Sequence, residues 1–568
     1  VHLPKTMRWD LRWAGGADFC FSRPVRSFLC FYGAQTLKNV KIAGIGVGTS
    51  TRLLIKARHE QVSVRTITAY FDLLKKKGLI LDPVERKNRI RTALEAAAKA
   101  AGVRLVADPM LLSEITYLTE MPQVISAVFD NAFLDLPAEV LTVSMARKQR
   151  IFGSVDAKEK LANRFFGVLD RRVTAVEQKL ICDNFGSILK AKLQDSLFFF
   201  REDSKMPLEQ KARALDGLIF IKNAGSMFQK SCRLVELSGL LSKSLGMSEE
   251  SSARLSEAAR LCKADLLTQM VGEFPELQGV MGHYYAKAQG LPQEVAMAIG
   301  QQYLPRTADD RLPDTQIAAA LSLIDKVDLI TTCFCLGLEP SSSADPYALR
   351  RSASAIAKIT FEHHLDYSLD ALLERCRVLV VADLKNPPKK ADPKADVAAF
   401  IADRAKAVLA ERGYAADLIE AVFAGGFDRL DLCASKLASL QPLTKAESFV
   451  KTCKVIERIT NILKATREIL PEEPDVALFQ EQLERDLFQK FNESNEAIIK
   501  SKEANDVKTA TDLYAAAFFD ILGEFFTKVF INAEDSGIRR NRLALLKRIR
   551  GLYVDGMADL SFIKIKND

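Results

Sequence analysis

The side chains best suited to chemistry in this sequence are basic. IRRNRLALLKRIRGLY (538–553) carries Arg539, Arg540, Arg542, Lys547, Arg548 and Arg550 and no acid. At about 100° per residue, Leu545, Leu546, Ile549, Leu552 and Tyr553 share one helix face, and every basic residue except Arg542 falls on the opposite arc. Such a helix docks its apolar stripe on neighbours and leaves a cationic face for phosphates, or for solvent alone. Membrane-surface binding is the weaker option, because the stripe is short.

A second stretch, LCKADLLTQMVGEFPELQGVMGHYYAKAQG (261–290), offers Asp265, Glu273, Glu276 and His283. A metal hydrolase needs several histidines and carboxylates converging on one point. One histidine is present, and Lys263 would repel a cation, so the expectation is a helix and a turn packed into a helical domain. Asp325 and Asp328 share a helix face at i,i+3 with Lys326 beside them, which points to solvent-facing or paired carboxylates. His363, His364 and Asp366 close a helix just before a break, where a polar last turn is expected and a metal site is disfavoured. GIGVGTSTR (44–52) is Gly-rich but lacks the order of a nucleotide loop, so it reads as a turn. No GxSxG, HExxH, CxxC or kinase signature occurs. From chemistry alone the chain is a large binding subunit with no catalytic residues and no metal site of its own.

The elements that must position these residues fall in two kinds. A length of 568 residues predicts about four domains. With 48% hydrophobic and 27% charged residues, the composition excludes a disordered, collagen-like or disulfide-scaffold protein. A net charge of +8 permits an acidic partner without requiring one, so the location of the charge matters more than its sum. Ten scattered cysteines without a CxxC pair read as reduced, buried thiols of a cytosolic protein, and five dispersed histidines offer no zinc site. No apolar run reaches the roughly 18 residues that span a bilayer. The chain opens at Val1 on what reads as mid-sequence, without a secretory signal pattern, and is expected to be shortened at its N-terminus.

Residues 1–170 read as α/β or α+β. Strands are expected at 28–34, 103–108 and 123–130, a capped helix at 82–102, and a helix or strand–helix unit at 137–152, with both tryptophans, Trp9 and Trp13, at the very start. Residues 171–240 form a helical connector with a basic and aromatic block. Beyond about residue 205 the apolar spacing is helical, over 208–247, 249–272, 291–303, 313–335 and 345–361. KNPPKKADPKAD (385–396) is the clearest linker, separating a helical domain at 241–384 from a helical linker region at 397–439 and a last helical domain at 440–568, broken at LPEEPD (470–475).

Several blocks together resemble the β subunit of the bacterial-type, two-subunit glycyl-tRNA synthetase. They are LPKTMRW (3–9), FSRPVRSFLCFYG (21–33), LPAEVLTVSMARKQRIF (136–152) and LKAKLQDSLFFFREDSKMPLEQ (189–210), then KADLLTQMVGEFPELQGVMGHYYA (263–286), YLPRTADDRLPDT (303–315), DPYALRRSASAI (345–356), KVIERITNILK (454–464) and AEDSGIRRNRLALLKRI (533–549). The order is kept from about residue 3 to 564. The resemblance implies a multidomain, mainly α protein with an N-terminal α/β region, a central HD-like helical domain and a C-terminal DALR-type anticodon-binding domain. In the HD-like domain Lys263 and Ala264 stand where that fold's His-Asp pair would begin. Asp265 and Asp325 persist without histidine ligands, so the fold is expected without its metal chemistry.

The resemblance further implies a cytoplasmic α2β2 heterotetramer. Its α subunit holds the class II site that uses ATP and Mg²⁺ to form glycyl-adenylate, while this chain carries no cofactor and grips the tRNA for glycine. Arg539, Arg540, Arg542, Lys547 and Arg548 are the first tRNA contacts to expect, and Lys454, Arg458 and Asn461 the second. The residues that usually precede the PKTMRW segment are absent, and 44–59, 182–194 and 219–234 depart from the family pattern, which marks a divergent lineage. Two rival readings are an HD-type metal phosphohydrolase, disfavoured by the missing histidines, and a non-catalytic RNA-binding scaffold derived from this family.

Overall fold

The computed structural model describes residues 7–12, 18–21, 25, 27–33, 35–42, 44–55, 58–342, 344–390 and 392–564. Trp13, His2 and residues 3–6 of the opening block lie outside the described residues. The chain divides into two compact units, 1–203 and 204–568.

In the first unit, short antiparallel hairpins occupy the described part of residues 7–63. The strand expected at 28–34 is reduced to Phe31–Tyr32, because the chain reverses at Gly33 (φ 58°) and pairs back through Gln35–Thr36. The Gly-rich stretch 44–52 contributes one strand of each of two hairpins, with a turn at Gly44 (φ 80°). A four-stranded antiparallel sheet follows, made of β1 (Arg104–Leu105), β2 (Gln123–Val128), β3 (Phe152–Val155) and β4 (Leu161–Leu169) in the order β2-β4-β3-β1. The expected strand at 103–108 shortens to two residues because Asp108 is already the N-cap of α2 (Pro109–Leu118).

Helix α1 (Pro83–Ala100) forms as its sequence dictates: Pro83 occupies the first position, and the Asp82 side chain accepts from the Val84 and Glu85 N–H groups. Ile90, Leu94 and Ala98, spaced by four, pack with Leu111, Ile115, Phe152 and Phe166 into the core of this unit. Residues 137–152 form a helix at Ala138–Val143, a π-helical turn at Ser144–Lys148 and then β3, so the order is helix before strand. Helix α3 (Ala175–Lys205), 31 residues long, lies in the first half of the segment expected as a connector.

The second unit is helical throughout its described residues: α4 (Met227–Ser244), α5 (Glu249–Leu261), α6 (Val280–Ala288), α7 (Gln293–Gln301), α8 (Gln316–Cys335), α9 (Leu349–His363), α10 (Leu369–Asp383), α11 (Lys394–Glu411), α12 (Ala416–Ala424), α13 (Leu430–Leu440), α14 (Glu447–Lys464), α15 (Gln482–Glu503), α16 (Val507–Lys528) and α17 (Ser536–Val554), with shorter helical turns between them. The expected helix 208–247 is interrupted by Asn223 and Gly225, both at positive φ, before a Ser226–Gln229 capping box starts α4. Helix α8 is its axis: every residue except Gln316 and Leu329 is buried.

Residues 385–390 do not separate two bodies. The Lys385 and Lys389 N–H groups donate to the carbonyls of Asn223 and Cys335, and Lys390 pairs with Glu339 and Asp396, so the stretch is strapped to the helices around it. The nominated boundary at 439/440 also runs through packed structure. A Cβ on Gly425 would lie 2.8 Å from the Ala558 nitrogen, and the Lys436 ammonium donates to the Gly556 carbonyl at 2.6 Å. No helix among the described residues is long and apolar enough to cross a membrane.

Candidate nucleic-acid interface

Helices α14, α16 and α17 pack on one another. Along α14, Phe449, Cys453, Ile456 and Thr460 turn inward, which leaves Lys454, Arg458 and Asn461 exposed on one stripe at i, i+4 and i+7. Helix α17 starts at Asp535, whose carboxylate accepts from the Gly537 and Ile538 N–H groups. Leu545, Leu546, Ile549, Leu552 and Tyr553 are all buried, as the helical spacing predicts.

Its basic residues divide five ways. Arg550 is half-buried, donates to Thr460 Oγ1 at 2.7 Å and pairs with Asp559. Arg540 and Lys547 are exposed. Arg539 is half-buried, paired with Glu468 at 2.6 Å and donating to the Ala533 carbonyl. Arg548 pairs with Glu473 at 2.9 Å and lies 5.0 Å from the Phe491 ring centroid. Arg542 faces the interior and is removed from the candidate contacts. Its guanidinium holds the fully buried Glu484 by two hydrogen bonds, 2.9 and 3.2 Å, and donates to the Phe530 carbonyl. Burial raises the Glu484 carboxyl, but Arg542 and two backbone N–H donors outweigh it and hold it below its usual range.

A cleft of about 950 Å³ brings together residues that lie far apart in the chain: Arg458 and Asn461 from α14, Arg467 and Glu468 just beyond it, Phe526 from α16, Asn532, and Arg539 from α17. The Arg458 guanidinium sits 4.3 Å from the Phe526 ring centroid. A guanidinium over an aromatic ring, flanked by amides and further arginines, can stack a splayed base and hold its phosphates. The sequence reading gathered three of these residues and missed Phe526, Arg467 and Asn532. The FF pair at 525–526 was the available signal, since adjacent helical residues face different ways. Phe525 is buried and Phe526 half-exposed.

Around α8 lies a second, different concentration of charge. Asp325, in the middle of that buried helix, meets the ammonium groups of Lys263 at 2.9 Å and Lys230 at 3.0 Å. Asp328 meets Lys230 at 2.8 Å and Arg233 at 2.6 Å, and Arg233 reaches on to Asp383 at 2.6 Å. Burial pushes the Asp325 carboxyl up, but Lys230 and Lys263 prevail and hold it well below its usual range. Among the described residues Lys326 has no carboxylate within ion-pair distance, and it donates to Ser322 Oγ at 2.6 Å and the Leu304 carbonyl at 2.9 Å. Burial lowers its ammonium to about 7.

Asp265 takes no part in this ion-pair network. Its Oδ2 accepts from the Gly279 and Gly282 N–H groups at 2.6 and 3.1 Å while Oδ1 has no partner, and burial raises it to about 6. Lys263 therefore puts a fixed cation on Asp325, and Asp265 is turned to the backbone. Among the described residues no group of three or more His, Cys, Asp or Glu side chains could hold a metal ion. His363 Nε2 donates to the Pro313 carbonyl at 2.8 Å, His364 ends α9 at φ 48°, and Asp366 pairs with Arg429. Six cysteines, at 262, 333, 335, 376, 433 and 453, are buried, whereas Cys232 is exposed.

A family model described as glycyl-tRNA synthetase beta subunit matches residues 1–424, and the DALR anticodon binding domain matches residues 454–562. The chain belongs to the glycyl-tRNA synthetase β-subunit family. A glycine–tRNA ligase beta subunit of Geotalea daltonii is 35% identical over 555 residues, covering 98% of this chain and 78% of that protein. Those of Moorella thermoacetica and Myxococcus xanthus are 34% and 32% identical, each covering 99% of this chain and 79% of the relative. The cleft between α14, α16 and α17 lies within the segment that matches the anticodon-binding domain. The central ion-pair network lies within the segment that matches the β subunit.

Proposed function

We propose that this chain is the tRNA-binding β subunit of a glycine–tRNA ligase, required for ATP-dependent attachment of glycine to its tRNA. The observation that carries this reading is the cleft that joins Arg458, Asn461, Arg467 and Arg539 around Phe526 inside the anticodon-binding match. Unpaired anticodon bases enter it and stack, and the stem is held through its phosphates by Lys454, Arg540 and Lys547 on the exposed faces of α14 and α17. Glycine activation belongs to a separate α subunit, which holds ATP and Mg²⁺, in an α2β2 assembly in the cytoplasm. Residues 241–384 are read as an HD-like domain whose metal position is filled by the Lys263 ammonium.

The test is glycylation of tRNA by the cognate α subunit with and without this chain. Activity that appears only in the mixture supports the proposal. No gain, alongside an α subunit that is competent with another β chain, sinks it.

A further inference from the structure

Beyond the anticodon cleft, the cavity beside α8 has the chemistry of a ligand site. It encloses about 700 Å³, within the range of small-molecule pockets. Five of its lining side chains are cations, Lys230, Lys263, Lys326, Arg306 and Arg351, and one is a carboxylate, Asp325. Lys230 and Lys263, with Arg233 behind them, are balanced by Asp325, Asp328 and Asp383. Lys326, Arg306 and Arg351 have only neutral partners among the described residues. Arg306 donates to the carbonyls of Glu276 at 2.9 Å and Gln278 at 2.6 Å, and Arg351 to the carbonyl of Arg306 at 3.3 Å. Those carbonyls fix the guanidiniums in place and leave their charge unmatched. A phosphate monoester, with a charge of about −1.5 to −2, is the size of anion that would match it. The remaining wall is apolar, with Leu218, Phe220, Met227, Leu266 and Leu329, and suits the flat body of a base.

Three separate stretches converge here. Lys263 and Leu266, Tyr303 and Arg306, and Ala348, Arg351 and Ser352 come from chain segments some 40 residues apart. Lys263 lies 4.2 Å from the Tyr303 ring centroid and Arg306 5.8 Å from it, so the cationic floor is built around one aromatic ring. We infer that this cavity binds a nucleoside phosphate group without a metal ion, as a free mononucleotide or as the phosphorylated end of an RNA strand.

The experiment is calorimetric titration of the full-length chain with AMP in the presence of a chelator, with adenosine as the phosphate-free control. AMP should bind once per chain, and adenosine at least about tenfold more weakly, because charge-assisted hydrogen bonds to the phosphate are lost. Arg351→Gln, at the mouth and free of ion pairs, should weaken AMP roughly tenfold and leave the circular dichroism spectrum unchanged. Lys326→Met should act in the same direction. Competition then separates the sources. Displacement of AMP by 5′-phosphorylated tRNA but not by dephosphorylated tRNA identifies an RNA end, and no displacement by either identifies a free nucleotide. Equal binding of AMP and adenosine, or no AMP binding together with tRNA affinity insensitive to its 5′ phosphate and to Arg351→Gln, overturns the inference.

Discussion

The two basic regions of residues 204–568 use charge in opposite ways. Around α8, Lys230, Arg233 and Lys263 are buried among carboxylates of the same chain, while the buried Lys326 and the exposed Arg306 and Arg351 have no counter-ion among the described residues. On α14 and α17, Lys454, Arg458, Arg540 and Lys547 face solvent, Arg539, Arg548 and Arg550 are half-buried against single carboxylates, and the buried Arg542 is matched to Glu484. Buried pairs cost several kcal/mol of desolvation per ion and are held by geometry, whereas exposed cations cost little and remain available to a partner. The comparison teaches that a basic residue in a helix is read correctly only when its partner is known. Arg542 belongs to the interior despite five basic neighbours on its own helix.

The largest test of that division is Arg542→Ala, which leaves Glu484 buried and unpaired. It should cost about 3–5 kcal/mol of stability in denaturant unfolding. Intact stability with lost tRNA affinity would place Arg542 on the binding face instead. Next comes pH. Lys326 has a folded pKa of about 7 against an ordinary 10.5, so the unfolded chain binds the extra proton between those values. The penalty is therefore full below pH 7 and is relieved as pH rises toward 10.5, at about 1.4 kcal/mol per pH unit. Lys326→Met should remove that slope from the stability profile, and an unchanged slope would mean that Lys326 is not the uncompensated charge.

Phe526→Ala should weaken tRNA binding by about 1–3 kcal/mol, the range for a base stacked on an aromatic ring, with little change in melting temperature because the ring is half-exposed. A melting loss without an affinity loss would make Phe526 packing and the cleft incidental. The smallest effect is expected for Arg540→Ala and Lys547→Ala. Each should reduce the salt dependence of tRNA binding by roughly 0.7–0.9 of a counter-ion and leave stability alone. An unaltered salt slope would show that the exposed face of α17 points away from the tRNA.

Much of this was legible in order along the chain. The apolar stripe of 538–553 and the Asp82–Pro83 start of α1 follow from spacing and capping, which act within one or two turns. The shortage of histidines was equally plain. Long-range pairing was not legible. Glu484 lies 58 residues from Arg542, and Asp328 lies 95 from Arg233, and nothing in the spacing of either helix names the other partner. The apparent linker at 385–396 failed for the same reason: its composition is that of a solvated segment, but its backbone and Lys390 find partners on helices placed by the rest of the fold.

The amino-acid sequence by itself determined the helices, the sign of their exposed charge and the family to which the motifs belong, because periodicity, caps and ordered blocks are local or co-linear properties. Tertiary structure alone decided which cations stay available. Whether an arginine meets a carboxylate, a carbonyl or water depends on which helix packs opposite it, and that juxtaposition separates the closed Arg542–Glu484 pair from the open Arg458–Phe526 cleft.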